Sequence, residues 1–482
     1  MSVERINLAP GLSVSRVLTG LWQIADMERD GRTIDLAQTA AAMRPYVDAG
    51  LTSFDMADHY GSAEDVAGIY RDGPGGSRAQ LLTKWVPKPG PVTREDVRGA
   101  ITRSLTRLRT DRLDLLQFHA WTYADPSWLD ALFFLQELCE EGLIGQLGFT
   151  NTDTAHLNMS LASGIPIVSN QVAFSLLDSR AAGAMSALCL KTGVHLLAYG
   201  TVAGGWLTER WLGQPEPDWE NTGTWSRMKY GRFIRAAGGW ARYQEVLAAA
   251  AGVAKRHGVS IANVASRWVL EHPAVGGVII GARLGERHHI DDTMQLFEFA
   301  LTEQDRGELT DAVARLTPIP GDCGDEYRTP PFLTASGDLS HHVESFPPPY
   351  AVRVAGTRTQ CLSGTPWEPL AGFSRAIRTG NRILVSGTTS THRHRHIGGT
   401  DVAAQTHFVI DKIEGSLRSL GGRLDDVIQT RVYVRHVADW EIVARAHGER
   451  FGHIQPANTL ISANLIGDEN LVEIEAEAEI VG

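Results

Sequence analysis

Over the first 316 residues, short apolar runs alternate with longer amphipathic stretches. The runs are RVLTGLW (16–22), LTSFDMAD (51–58), QLLTKW (80–85), LDLLQFHA (113–120), IGQLGFTN (144–151), PIVSNQV (166–172), VHLLAYG (194–200) and GGVIIGA (276–282). Between them apolar positions recur at helical spacing, as in TREDVRGAITRSLTRL (93–108) and PSWLDALFFLQELCEE (126–141). Continuous apolar runs suit parallel strands covered on both faces, and alternation with helices suits repeated βαβ units. Eight such strands, most followed by a helix, predict an α/β architecture, a (β/α)8 TIM barrel over 1–316. The doubly wound alternative usually carries G-x-G-x-x-G after its first strand, and no such motif occurs here.

The pattern changes after residue 316. Residues 317–350 (TPIPGDCGDEYRTPPFLTASGDLSHHVESFPPPY) hold neither period, and their proline clusters favour extended backbone. This stretch is expected to be a Pro/Gly-rich linker. Beyond it, RILVSGTT (382–389), VIQTRVYV (427–434), ANTLISANLI (457–466) and LVEIEAEAEIV (471–481) have the alternation and β-branched content of strands. Helical stretches at 401–420 and 439–451 separate them, so 351–482 is expected to be an α+β domain with an antiparallel or mixed sheet.

Polar residues gather where the barrel runs end. Asp55, Lys84, His119, Asn151, Gln171 and Tyr199 each lie at or just past the end of an apolar run. Barrels place their chemistry on that face. Capping a helix is the simpler role for Asn151 alone, but six polar residues at one rim exceed what capping requires.

Composition narrows the function classes. The 482 residues carry a net charge of −11, which disfavours a general nucleic-acid or membrane-surface binder. Residues 351–482 contribute only −1 of it, so the acidity belongs to the barrel and linker. No apolar run is long enough to span a bilayer, and the start of the chain lacks a signal-peptide layout. Cys139, Cys189, Cys323 and Cys361 have no metal-like spacing and suit a reducing cytoplasm. Only six basic residues are lysines, and of these Lys84 alone has neighbours in the sequence that suggest a task.

FDMADHYGSAE (54–64), LLTKW (81–85), LDLLQFHA (113–120), GLIGQLGFTN (142–151), SNQVAFSLLD (169–178) and VIIGAR (278–283) resemble the aldo-keto reductases, in family order, over about 10–316. The resemblance implies an NADP-dependent oxidoreductase that interconverts aldehydes or ketones with alcohols. It assigns proton transfer to Tyr60, with Lys84 and Asp55 lowering the tyrosine's pKa and His119 orienting the substrate carbonyl. Thr150, Asn151 and Gln171 match the nicotinamide-carboxamide positions, and Tyr199 the ring that stacks on the nicotinamide. Gly200-Thr201-Val202 replaces the usual Ser-Pro-Leu, so a pyrophosphate-contacting hydroxyl comes from Thr201 or is lost. Trp22 and Gly281 complete the expected cofactor contacts. Arg283 and His289 stand at basic positions that favour NADP, with NAD as the alternative, and a helix N-terminus beside Arg283 adds a natural anion site. Trp206, Trp211, Trp219, Trp225 and Trp240 form either an aromatic roof, to which Trp22 and Trp121 add, or a self-packed loop.

GFSRAIRTGNRILVSGT (372–388) and PANTLISANLIGDENLVEIEAEA (456–478) resemble the Rid/YjgF family of reactive-intermediate deaminases, whose fold is chorismate-mutase-like. The resemblance implies homotrimers with clefts between subunits, where active members hydrolyse 2-imino acids. That chemistry needs a cation for the substrate carboxylate, yet Asn458 stands where the family has Arg. Phe373 and Thr388 also depart from the pattern, while Glu473 remains. Simple imine deamination is therefore expected to be lost, unless Arg375, Arg378 or Arg431 supplies a displaced cation. His392, His394 and His396 alternate with Arg, the pattern of a solvated loop or, less commonly, a metal tract; no metal site is expected. Three functions stand open: a carbonyl reductase with an oligomerising second domain, a bifunctional imine-handling and carbonyl-reducing enzyme, or a reductase with a ligand-sensing second domain.

Overall fold

The structure is a computed structural model that describes residues 3–25, 33–220, 222–286, 288–328, 343 and 345–481. Strands β1 (Arg5–Ala9) and β2 (Leu12–Ser15) form a hairpin, and eight parallel strands then close a barrel. These are β3 (Val17–Gly20), β4 (Ser53–Asp55), β5 (Gln80–Trp85), β6 (Leu113–Phe118), β7 (Ile144–Thr150), β8 (Ile167–Ala173), β9 (His195–Tyr199) and β10 (Val275–Gly281). Each falls within one residue or so of an apolar run, and β10 closes on β3.

Alternation within the strands layers the barrel interior. Leu18, Leu82, Leu115 and Leu197 form an apolar floor with Leu8, Leu12 and Val14 of the hairpin. Two residues further along, Lys84, Gln117 and Tyr199 share the orientation of Leu82, Leu115 and Leu197. A polar layer therefore rests directly on a leucine layer. Around the barrel, α1 (Ser127–Glu140), α2 (Thr154–Ala162) and α3 (Trp225–Ala236) are the helices that matter below.

The second domain contains β11 (Ala351–Ala355), β12 (Arg358–Leu362), β13 (Ala376–Thr379), β14 (Arg382–Thr389), β15 (Thr391–His392), β16 (Arg395–His396), α4 (Val402–Ser419), β17 (Val427–Val434), α5 (Trp440–Phe451), β18 (Ala457–Ser462) and β19 (Val472–Glu479). Its seven-stranded sheet runs β11-β12-β13-β14-β19-β17-β18, antiparallel except for the β17–β18 pair. Helix α4 is apolar on two sides and buried on both. Val409, Ile410, Ile413 and Leu417 face the sheet, whereas Ala404 and Phe408 join the barrel's own core.

Polar contacts reinforce that seam. His156 on α2 lies between Asp153 (Nδ1–Oδ1 2.7 Å) and Asp411 of α4 (Nε2–Oδ2 2.9 Å), with Tyr123 stacked on its ring. Burial alone would lower the His156 pKa, but the two carboxylates outweigh it and raise it to about 9. The expected His/Arg tract is the β15–β16 hairpin, and it docks on α1: His392 and Arg393 both reach Asp130, and Arg395 lies over Phe133. His396 instead accepts from Gln405, so the three imidazoles do not converge.

The stretch expected as a linker is in part a component of the barrel. Asp322, Glu326, Tyr327 and Arg328 bond to barrel residues, and Cys323 is buried among them. Buried carboxylates and cations pair here, and that pairing overrides the extended preference of the flanking prolines. Most of the remainder, 329–342 and 344, lies outside the described residues.

Candidate active site

The strand ends bring the expected tetrad to one rim. Lys84 Nζ donates to Asp55 Oδ2 at 2.6 Å and to Met56 O at 2.9 Å, and both side chains are almost fully buried. Burial lowers the Lys84 pKa, and the charge and hydrogen bond of Asp55 oppose that fall. The ammonium lies 5.2 Å from the centre of the Tyr60 ring, which Trp22 meets edge-on at 4.9 Å. His119 Nδ1 is 3.2 Å from Thr150 O. A carbonyl only accepts, so Nδ1 carries the hydrogen, and Nε2 of a neutral ring is then an acceptor. Donation to a substrate carbonyl, the role expected for His119, therefore requires the imidazolium.

The carboxamide positions meet beside this tetrad. Asn151 follows β7 with φ +57, a left-handed conformation that asparagine tolerates, and its Oδ1 accepts from the Tyr199 hydroxyl at 2.7 Å. The Gln171 side chain turns into the barrel, where its amide donates to Asp55 Oδ1 (2.7 Å) and Gln117 Oε1 (2.8 Å).

Other residues at the rim were not foreseen from the sequence. Lys229 on α3 donates to the Tyr327 hydroxyl at 2.5 Å and lies 4.9 Å from the centre of the Tyr199 ring. Glu326, fully buried, pairs with Arg180 at 2.9 Å and accepts from Tyr199. Burial would raise the Glu326 carboxyl, but Arg180 and Lys229 hold it below its usual range. The Tyr327 ring is 5.5 Å from that of His119, so this segment roofs the rim. The signal was available in part: three of the six lysines, Lys84, Lys229 and Lys412, are buried.

Beyond Tyr199 the backbone turns sharply. Gly200 has φ +77, and a Cβ there would lie 2.3 Å from the Tyr230 hydroxyl, so only glycine fits. Ala203, Gly204 and Gly205 follow with successive positive φ values of 48, 63 and 92, and the amides of Ala203 and Gly205 donate within the turn to Gly200 O at 2.8 Å and Val202 O at 2.9 Å. Arg227 feels burial and the charges of Arg210 and Arg283, which together lower its pKa and mark three neighbouring guanidiniums. The Thr201 hydroxyl is buried against Ser266 Oγ at 3.0 Å. The helix beyond Arg283, Ile290–Gln295, is too short to act as the expected anion site, and His289 at its start is exposed. Gly281 ends β10 beside Gln23.

Of the tryptophan alternatives, the structure has the self-packed loop. Trp206, Trp211, Trp219 and Trp240 lie against one another with ring centres 4.3–6.1 Å apart, and Trp206 is fully buried. Trp225 begins α3. Trp121 remains at the rim, edge-on to His119 at 4.5 Å.

In the second domain, Asn458 is exposed and donates to Thr430 at 2.9 Å. Arg375 is buried and donates to Gly387 O and Thr388, with Phe373 under its guanidinium. Its charge faces Glu473, whose carboxyl burial raises. Arg378 is held by backbone carbonyls of Gly380 and Leu420, and Arg431 by Glu475.

Residues 16–314 match the model of the Aldo/keto reductase family, and residues 365–480 match that named Endoribonuclease L-PSP. Protein tas of Escherichia coli is 32% identical over 213 residues, 40% of this chain and 59% of that protein. The 3-aminoacrylate deaminase RutC of Acinetobacter baylyi is 32% identical over 120 residues, 24% of this chain and 93% of that protein. The solved glycerol dehydrogenase of Gluconobacter oxydans shares the fold at 22% identity, with a TM-score of 0.54 over 66% of this chain and 97% of that one.

Proposed function

The chain belongs to the aldo/keto reductase family, and from that premise we propose that it reduces an aldehyde or ketone to the alcohol with NADPH, Tyr60 giving the proton. The observation that carries this reading is the buried Lys84–Asp55 pair beneath Tyr60. As hydride reaches the carbonyl carbon, negative charge grows on oxygen, and a positioned acid must discharge it. The ammonium of Lys84 stabilises the phenolate that Tyr60 becomes, and Asp55 keeps that ammonium in place. His119 holds the same oxygen: as an imidazolium it donates to a carbonyl, and as a neutral ring it accepts from an alcohol.

The residues present fit a dinucleotide. The glycine at 200 and the neighbouring Arg210, Arg227 and Arg283 suit phosphate groups, and this cationic group favours NADP over NAD. A bound nicotinamide supplies the hydride. Gln171, Asn151 and Tyr199 would hold and orient it, with Thr150 and Trp22 beside them.

The second domain is proposed to assemble the protein as a homotrimer. Its helix α4 buries against the barrel, whereas Leu384, Ile428 and Ile461 on its strands are more than two-fifths exposed. Simple imine hydrolysis is proposed to be absent, because the neutral Asn458 is tied to Thr430. A cytoplasmic enzyme of small carbonyl compounds is the consistent whole.

The test is a panel of carbonyls and alcohols followed at the nicotinamide absorbance with both cofactors. Tyr60→Phe is expected to lower turnover by about 10²–10⁴-fold while NADPH fluorescence quenching persists. Full turnover in Tyr60→Phe, or no NADPH binding by the native protein, would overturn the reading.

A further inference from the structure

We propose that Gln117 is a positioning residue that ties the amide of Gln171 to the Asp55–Lys84 pair, so that what binds at Gln171 is felt at Tyr60. The inference rests on the assignment of Tyr60 above. Gln117 lies in the middle of the barrel on β6, fully buried, with Lys84 as its register partner on β5. Its other register partner is Gly148 of β7. A Cβ at Gly148 would come within 2.5 Å of Ser169 Oγ and 3.4 Å of Gln117 Cγ, so the glycine leaves room for this side chain.

The hydrogen bonds define the arrangement. Gln117 Nε2 donates to Asp55 Oδ1 at 3.0 Å, and Gln171 Nε2 donates to the same oxygen at 2.7 Å. Gln171 Nε2 also donates to Gln117 Oε1 at 2.8 Å. Asp55 Oδ2 is left to the Lys84 ammonium at 2.6 Å. Each amide therefore fixes the other: by accepting from Gln171, Gln117 must present its own NH₂ to the carboxylate. One oxygen of Asp55 is served by two neutral donors and the other by the cation.

This division sets how strongly Asp55 offsets the charge of Lys84. In a dry interior, hydrogen bonds polarise one another, and the donors on Oδ1 draw carboxylate charge away from Oδ2. The ammonium then keeps more of its field for Tyr60. The fourth polar atom of the amide pair, Gln171 Oε1, takes no part in these bonds. A donor that binds there, such as a carboxamide NH₂, pulls on the same amide that serves Asp55. A leucine at 117 fills similar space, so an amide buried here has a purpose that packing alone does not require.

The experiment is the pH dependence of kcat for alcohol oxidation by the full chain, in the native protein, Gln117→Leu and Gln117→Met. Oxidation needs the phenolate, so its rising limb follows ionisation of Tyr60. Without the amide donor, Asp55 offsets Lys84 more fully and the phenol keeps its proton longer. The limb is expected to move up by about one pH unit in Gln117→Leu. Gln117→Met likewise removes the donor while keeping an unbranched side chain, so its limb is expected to move in the same direction. NADPH affinity, read by fluorescence quenching, is expected to weaken about 3–10-fold in Gln117→Leu, because Gln171 loses one of its two acceptors and is held less firmly. Turnover that survives Tyr60→Phe overturns the assignment of Tyr60 and this inference with it. Turnover lost in Tyr60→Phe, together with a limb that stays put in whichever Gln117 variants fold, overturns this inference alone.

Discussion

At the scale of single residues, three buried lysines divide the chemistry of the chain. Lys84 sits beside Tyr60, and Lys84→Met is expected to lower turnover about 10²–10⁴-fold while nicotinamide binding persists, a split that steady-state kinetics and fluorescence quenching together detect. Lys229 holds Tyr327 over the rim, so Tyr327→Phe, which removes only the hydroxyl, is expected to change KM for the carbonyl substrate more than kcat. Lys412 donates to the carbonyls of Thr389 and Thr391, and burial first, then Arg375, lowers its pKa to about 7. Asp55, Lys84 and His119 were legible in the sequence because each lies at or near the end of an apolar run, and Tyr60 because FDMADHYGSAE resembles a family motif. Gln117 was not, because within LDLLQFHA it is one polar letter in a strand. Glu326 and Tyr327 were hidden by their setting: proline-rich flanks imply extended backbone, and nothing local shows that Arg180, 146 residues away, awaits the carboxylate.

At the scale of elements, the eight barrel strands were legible since burial on both faces leaves continuous apolar runs. Strands β11, β12 and β13 were not: residues 351–362 are mostly exposed and carry no core-facing period, and they pair chiefly through backbone. The seam between α2 and α4 was equally invisible, because His156 and Asp411 are 255 residues apart. Its pH response has a definite sign. The His156 pKa is raised in the folded protein to about 9, from about 6.5. Its stabilisation, about 3 kcal/mol in full, is present below pH 6.5 and is lost as pH rises through 9. Lys412 acts oppositely: its folded pKa lies below its unfolded value, so its protonation penalty fades as pH rises above 7. Thermal melts between pH 6 and 10 check both. His156→Ala is expected to lower stability by about 3–5 kcal/mol at pH 6, and Lys412→Met to flatten the rise above pH 7.

For the whole molecule, the decisive fact is that α4 is buried on two sides. It backs the sheet and completes the barrel's core with Phe408, leaving the opposite face of the sheet to other contacts. Ile428→Glu and Ile461→Glu are therefore expected to reduce the mass seen by sedimentation while Tyr60-dependent turnover persists in the smaller species; an unchanged mass would remove that face from the assembly. The shared helix also bears on synthesis. Arg328, which reaches the barrel's Asn151, leaves the ribosome about 90 residues before Ser419, some 5–20 s ahead at ordinary elongation rates. During that interval the nascent barrel presents an uncovered apolar patch and an unpaired Asp153–His156 couple. Chains terminated before residue 402 keep that patch permanently, and so a stop codon in the second domain damages the first through aggregation, with every catalytic side chain intact.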